Sequence, residues 1–383
     1  MNNKFNFIDR ELQILQEENR LRRLQMVNPV STISLDIGEK QVINFSSNDY
    51  LGLSKHPMLA KKSAQYLQRF GSGATASRLV CGNYSIYDQL EKKIAQLKGT
   101  ENAVVFNSGY QANVSLIPIF ADRHSLILAD RLAHKSLIQG ALLSSSKLQR
   151  FHHDDMDHLE QQLISSQTKN YSRIVIISES VFSMDGDRCN LDQLVALSKK
   201  FSAILIIDEA HATGVLGVGG RGLAYNKGVD IVIGTFGKAL GSFGAYVACS
   251  DKLREYIINC CSGFIYTTAL PPAVLGASEA AIDLLGSLEK EREFLIKSSD
   301  YLRSKLQSFG YETGNSSTQI VPVIIGTETQ TLQLSQKLFT SGFLAVAIRP
   351  PTVGKGKSRI RLSLSALHTM EQIESLLEVF KEA

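Results

Sequence analysis

Residues 229–244, VDIVIGTFGKALGSFG, decide how this chain folds. Val229, Ile231, Val232 and Ile233 read as a buried strand, because a short apolar run bounded by glycine suits a strand covered on both faces. Gly234, Thr235, Phe236 and Gly237 then bring a single lysine, Lys238, to the C-terminal edge of that strand. The small residues Ala239, Gly241, Ser242 and Gly244 follow, which suggests that something bulky approaches the backbone. A lysine in such a place is a candidate amine nucleophile, since desolvation disfavours the ammonium and frees the lone pair. The plainer reading is a solvated lysine in a Gly-rich turn, so a second stretch has to arbitrate.

That stretch is residues 203–214, AILIIDEAHATG. Ile204 to Ile207 form another buried run ending in Asp208, with His211 three residues on. An acid at the C-terminal end of a parallel strand points into the crevice where α/β proteins bind ligands. A lysine able to form a Schiff base, plus an acid able to hold a pyridinium nitrogen, is the pairing that pyridoxal phosphate chemistry needs. The alternative for Asp208 is a strand-end acid that caps a helix. The two stretches together, in this order, favour the cofactor reading.

Composition sets wider bounds. The chain has 383 residues, enough for two or three core-bearing units, with 44% hydrophobic and 20% charged residues. A net charge of +4, spread rather than clustered, gives no footing for nucleic acid as the main partner. Five cysteines (Cys81, Cys189, Cys249, Cys260, Cys261) make an odd count without a Cys-x-x-Cys pair, which points to reduced thiols and a cytoplasmic setting. The charged N-terminal stretch has no signal-peptide pattern, and no apolar run approaches the ~20 residues of a membrane span.

Along the chain, residues 5–24 read as an amphipathic helix with Ile8, Leu12 and Leu15 at helical spacing and Arg22 and Arg23 near its end. Residues 30–45 read as extended segments turning at Gly38 and Glu39. Asn48 and Tyr50 lie in an irregular loop, NFSSNDYLGL, that either lines a site or packs as a connection. Residues 71–83 form a Gly/Ser-rich loop before a helix at 84–97. Residues 102–110, NAVVFNSGY, give a strand and a Ser108–Gly109 turn that opens a helix, an arrangement suited to a phosphate. His134 follows the strand 125–129 and is either structural or placed to stack on a planar ring. His152, His153 and His158 sit among acids without a recognisable metal-ligand spacing, so a capped helix is the better reading there and no metal is expected. The strand 173–178 leads to a turn holding Ser183, whose acids Asp185 and Asp187 have the wrong spacing for a calcium loop. Residues 285–308 are charged and helical, and strands follow at 320–325 and 359–363. The last helix has Thr369 and Gln372 as a capping box and Ile373, Leu376, Leu377 and Phe380 as its apolar stripe. Strand–helix alternation from about 100 to 250 implies a parallel or mostly parallel sheet with helices on both faces.

Two patterns mislead. GVGGRG at 217–222 fits G-x-G-x-x-G but neither follows a strand directly nor precedes a strand-end acid ~20 residues on. Asp208-Glu209-Ala210-His211 has the form of a helicase nucleotide motif, but the nearest P-loop candidate, GKGKS at 354–358, lies downstream and has Pro351 where the first glycine belongs. A nucleotide-driven or nucleic-acid-binding protein is therefore the weaker alternative.

NFSSNDYLGL, FNSGYQAN, ADRLAHKSL, ESVFSMDGD, IDEAHATGVLG, GRG and TFGKALGSFG, in this order, resemble the α-oxoamine synthases over nearly the whole chain. The resemblance implies a fold-type I α/β transferase that uses pyridoxal 5′-phosphate. It implies a large domain with a mostly parallel seven-stranded sheet and a smaller α+β domain built from both termini. The expected division is an N-terminal helix and arm over 1–45, a large cofactor domain over 46–285 and a small domain over 286–383. Within the family, residues 347–368, AIRPPTVGKGKSRIRLSLSALH, and RFHHDD at 150–155 are similar to the branch that serves biotin synthesis. That branch condenses L-alanine with a pimeloyl thioester, of coenzyme A (pimeloyl-CoA) or acyl carrier protein, releasing CO2. The family's rivals are synthases using glycine with acetyl-CoA, serine with a long acyl-CoA, or making an α-aminoketone signal. The loop 71–83 is nearer the broad family than the branch.

The resemblance also implies roles. Lys238 is the lysine that condenses with the cofactor's aldehyde and then serves as base and acid at Cα. Asp208 keeps the pyridine nitrogen protonated, His211 binds the phenolic oxygen with Ser183 nearby, and His134 stacks on the ring and meets the substrate. Ser108, Gly109, Tyr110 and Thr235 seat the cofactor, chiefly its phosphate. Arg361 holds the amino-acid carboxylate, with Asn48 in the substrate set, and Arg22 and Thr352 contact the acyl group. Thr267 or Thr268 reaches the phosphate of a neighbouring subunit, in a homodimer with shared sites.

Overall fold

The computed structural model describes residues 4–382. The chain divides into two compact units. The larger comprises Asp49–Ser183 and Arg188–Arg292, and the smaller joins the N-terminal stretch to Asn48, the segment Met184–Asp187 and the C-terminal stretch from Glu293. The sequence expectation put breaks at 45/46 and 285/286 and did not separate Met184–Asp187 from its surroundings. That segment belongs to the smaller unit through side chains and backbone. Arg359 donates to Asp185 Oδ1 at 2.5 Å and to the Met184 carbonyl at 3.2 Å, while Thr318 Oγ1 donates to the Gly186 carbonyl at 2.8 Å.

The larger unit is built on a seven-stranded sheet. Its spatial order is Asn102–Phe106, Ala245–Cys249, Ile231–Thr235, Ile204–Asp208, Arg173–Glu179, Ser125–Asp130 and Lys147–Phe151. Only Ala245–Cys249 runs antiparallel to its neighbours, so the expected mostly parallel sheet is present. The central strands are apolar on both faces because helices cover both, and Ile206, Ile231, Ile177 and Val247 are fully buried. Helices Gly109–Phe120 and Lys135–Leu143 pack on one face through Ala112, Leu116, Leu137 and Ala141. They approach closely at Gly140, where a Cβ would stand 2.4 Å from the Asn113 carbonyl oxygen. The strands Ser125–Asp130, Arg173–Glu179 and Ile204–Asp208 all end at the edge where the candidate site lies, each on an acid.

The glycines on either side of Lys238 do admit a close approach, as expected of the one that follows it, and the approaching groups belong to the protein itself. A Cβ at Gly241 (φ +59°) would lie 2.4 Å from the Ser54 nitrogen, and one at Gly234 would lie 2.2 Å from the Tyr246 hydroxyl. The bulky groups that these glycines admit include the protein's own loop 49–55 and a core tyrosine. The GRG motif is explained in the same way. Glu209 Oε1 accepts from the Leu223 and Ala224 amides at 2.6 and 2.8 Å, and Lys98 Nζ donates to Glu209 Oε2 (2.8 Å), Thr213 Oγ1 (2.8 Å) and the Arg221 carbonyl (2.7 Å). A side chain at Gly222 would collide with that ion pair, whose two members are wholly buried.

The smaller unit holds a four-stranded sheet that includes Ser34–Ile37 and Lys40–Asn44, and a three-stranded sheet of Ile320–Gly326, Ser358–Ser363 and Ala347–Ile348. The turn at Gly38 (φ +61°) and the Thr369–Gln372 capping box are as the sequence indicated. The N-terminal helix is shorter than expected, Asn6–Glu17 instead of 5–24. The chain leaves it at Asn19, whose positive φ of 54° lets the Arg20 and Leu21 amides turn back onto the Leu15 carbonyl at 2.7 and 2.9 Å. Arg22 and Arg23 therefore lie beyond the helix. Ile8 and Leu12, on its apolar stripe, are exposed. No helix among the described residues is long and apolar enough to cross a membrane.

Candidate active site

Within the larger unit, the strand Ile231–Thr235 and the turn after it set Lys238 at the sheet edge, where it is half-buried. Lys238 Nζ lies 2.8 Å from His211 Nε2, and the other ring nitrogen of His211 lies 2.6 Å from the Tyr50 hydroxyl. Tyr50 is fully buried and is delivered by the irregular loop. That loop is closed by Asp49, whose carboxylate accepts from the Leu53 and Ser54 amides at 2.9 and 3.0 Å. NFSSNDYLGL is thus both a packed connection and a supplier of a site residue.

Asp208 is 5% exposed. Its Oδ1 accepts from the Ala210 amide at 2.9 Å, and its Oδ2 accepts from Asn113 Nδ2 at 2.8 Å. Asn113 also donates to Ser136 Oγ at 2.9 Å, and Ser136 Oγ lies 2.6 Å from His134 Nδ1. One buried amide therefore ties the strand-end acid to the histidine that caps helix Lys135–Leu143. The sequence reading missed Asn113, although it lies inside the FNSGYQAN motif one helical turn beyond Gly109. Desolvation pulls the His134 pKa below its ordinary value, the charge of Asp208 opposes that, and Lys238 adds to it.

At the mouth of helix Gly109–Phe120, Ser108 caps the first turn by accepting from the Gln111 amide at 3.1 Å. The amides of Gly109 and Tyr110 are among those a first turn leaves without helical partners. A Cβ built on Gly109 meets nothing within 4 Å, so open space stands beside the helix mouth at this residue. Tyr110 is exposed. Thr235 Oγ1 donates to the Gly244 carbonyl at 2.9 Å and accepts from the Gly237 amide at 3.1 Å, which braces the turn that carries Lys238. Ser183 sits in the expected turn and is buried. Thr267 Oγ1 accepts from Asn107 Nδ2 at 3.0 Å, and Thr268 is exposed beside it. An open helix mouth, a lysine facing a histidine and a strand-end acid are the three features that a phosphorylated pyridine aldehyde requires.

The smaller unit gathers the other expected residues. Arg361, 6% exposed on the strand Ser358–Ser363, donates to Ser363 Oγ at 2.6 Å and to Asn48 Oδ1 at 3.1 Å. Arg22 Nη2 reaches the Pro350 carbonyl at 3.4 Å and Thr352 Oγ1 at 3.5 Å, so the two residues assigned to the acyl group are neighbours.

His152, Asp155 and His158 come together despite the unpromising spacing, with one ligand atom from each within 4.8 Å of the others. His158, however, is already engaged at both ring nitrogens. Its Nδ1 accepts from the His152 amide at 3.0 Å, and its Nε2 lies 3.0 Å from the Gln162 side-chain amide. A metal ion would have to displace one of these contacts.

The aminotransferase class I and II family matches residues 40–380. A relative from Desulfosudis oleivorans, provisionally named 8-amino-7-oxononanoate synthase, is 51% identical over 377 residues, covering 98% of each chain. The chain belongs to the aminotransferase class I and II family, in its α-oxoamine synthase branch. Among solved structures, SPT (serine palmitoyltransferase) with PLP superposes on this α-oxoamine synthase with a TM-score of 0.90 at 28% identity, covering 99% of this chain and 97% of that one. The 8-amino-7-oxononanoate synthase of Francisella tularensis gives a TM-score of 0.77 at 28% identity, covering 89% and 97%. The cofactor of this α-oxoamine synthase is pyridoxal 5′-phosphate, and the enzyme is a transferase.

Proposed function

We propose that the enzyme joins L-alanine to a pimeloyl thioester, of coenzyme A or acyl carrier protein, giving 8-amino-7-oxononanoate, CO2 and the free thiol. The observation that carries the reading is the kinship with the Desulfosudis oleivorans protein, 51% identical across 98% of both chains. SPT superposes with a TM-score of 0.90 but is only 28% identical, which speaks to shared scaffold and chemistry more than to the acyl chain. The same reading makes the enzyme a cytoplasmic homodimer that takes small-molecule substrates in a biotin-forming pathway.

The cofactor, when bound, supplies an electron sink for charge that develops at the amino acid's α-carbon. The protein's part follows from its residues. The helix mouth at Gly109 and Tyr110, together with Ser108 and Thr235, would receive the phosphate through amide donors and the helix dipole. Asp208, held by Asn113 and the Ala210 amide, would meet the ring nitrogen and hold its proton in place. His211, fixed by Tyr50, would hold the phenolic oxygen together with Ser183, and His134 would cover the ring. Arg361, aligned by Ser363 and Asn48, takes the amino-acid carboxylate and so sets the direction of the Cα–H bond. Lys238 removes that proton and later returns one. Arg22 and Thr352 meet the acyl group, and Thr267 or Thr268 serves the neighbouring subunit's phosphate.

Purified enzyme offered pimeloyl, acetyl and long-chain acyl thioesters with alanine, glycine and serine tests the proposal. Alanine with the pimeloyl thioester is expected to be turned over best, with CO2 and free thiol released in equal amounts. Preference for glycine with acetyl thioester, or serine with a long acyl chain, would overturn the substrate assignment.

A further inference from the structure

The mechanism leaves one buried acid of the site without a task. Glu179 ends the strand Arg173–Glu179, is 3% exposed, and is the parallel-ladder partner of Asp208. Partners in a parallel ladder place their side chains on the same face about 5 Å apart. The two carboxyls are served very differently. Asp208 receives the Ala210 amide and the Asn113 side chain. Glu179 takes the backbone amide of His134, and its Oε1 has no hydrogen-bond partner.

An ionised carboxylate out of water needs several donors, and a second charge next to Asp208 would add repulsion. A neutral acid is less costly to leave in this setting: the His134 amide serves its carbonyl oxygen, and what goes unmet is one O–H rather than a charge. We propose that Glu179 is a positioning residue of the active site: as an uncharged acid it anchors the backbone of His134 at the cap of helix Lys135–Leu143 and leaves Asp208 as the charged carboxylate of this pair. The groups acting on it agree. Burial pushes the Glu179 pKa well up, Asp208 adds to this, Lys238 and the His134 amide oppose it, and Asp130 contributes slightly upward. The anchor matters because His134 is joined through Ser136 and Asn113 to Asp208, so a slack cap would loosen both.

The inference rests on the assignment of this site to the cofactor, and its test separates the two. In cofactor-free protein, hydrogen–deuterium exchange is followed for a peptide spanning residues 131–137. In holoenzyme, the visible absorbance of the bound cofactor is titrated with pH. Glu179→Gln, neutral and equal in shape, is expected to keep the parent's exchange rate and titration midpoint. Glu179→Leu, which cannot accept from His134, is expected to exchange about tenfold faster in that peptide. A charged Glu179 would behave otherwise, because losing a unit charge at this range moves a neighbouring titration by about two pH units. A midpoint displaced by about one unit or more in Glu179→Gln, or unaltered exchange in Glu179→Leu, would overturn the proposal. Should the Leu variant not accumulate as folded protein, the Gln titration alone decides. Protein that never takes up the cofactor would refute the site assignment while leaving the exchange experiment intact.

Discussion

Replacing Asn113 by alanine tests how far a residue outside the obvious chemistry governs it. The amide is 2% exposed and gives a 2.8 Å bond to Asp208 and a 2.9 Å bond to Ser136. A hydrogen bond to a charged partner contributes about 1.5–3 kcal/mol, equivalent to roughly 10- to 150-fold. Alanine leaves Asp208 with fewer donors in a dry setting, which frees its carboxylate to turn and weakens its hold on a cationic ring. The expected result is a loss of about that size, shared between cofactor affinity, read from visible absorbance on reconstitution, and kcat/KM. Asn113→Asp should be worse, because it sets a second acid against Asp208. Far-ultraviolet circular dichroism and a melting curve show whether the fold survives. A folded Asn113→Ala enzyme within about twofold of the parent in both quantities would refute the idea that this amide sustains the acid.

Two further predictions concern stability. His368 is buried, its ring stacked on Phe45 at 4.1 Å, with Nδ1 accepting from the Ser365 amide, and burial lowers its pKa to about 4. Because the unfolded chain takes the proton at its ordinary value of 6.5, stability is complete above that pH and falls as pH drops from 6.5 toward 4, by about 3 kcal/mol in all. Urea unfolding at pH 7 and pH 4.5 measures the slope, and a His368→Gln protein with the same slope as the parent would contradict the assignment. Lys98→Met strands Glu209 as an unpaired buried charge and should cost about 3–5 kcal/mol, visible as a large drop in Tm. A melting curve within the error of the parent's would mean that the pair is dispensable.

The sequence made the catalytic edge legible because its elements are local. Apolar runs that end in Asp208 or precede Lys238 mark strands, and the Ser108–Gly109 turn marks a helix mouth. Thr369 and Gln372 likewise announce a cap. What escaped depends on contacts between distant segments. Asn113 looks like any polar residue of a helix until Gly140 is seen to let a second helix close over it. Glu179 reads as the residue after a strand, and only the ladder register sets it beside Asp208. The glycines around Lys238 carry the imprint of Leu53, Ser54 and Tyr246, which no local pattern could assign. The N-terminal helix was overestimated because helical spacing continues past Asn19, where the backbone turns away.

The contacts of His211 with Tyr50 and Lys238 have a consequence in proton bookkeeping. A neutral imidazole owns one N–H. If the phenol points its hydrogen at the ring, the far nitrogen must donate, and the lysine receives as a free amine. If the ring donates to the phenol instead, the far nitrogen carries only a lone pair and the lysine must be the giver, a part that an amine and an ammonium can both play. The direction in which a buried tyrosine turns its hydroxyl therefore selects whether the lysine gives or receives in its bond to the ring, and only the receiving lysine has to be a free amine.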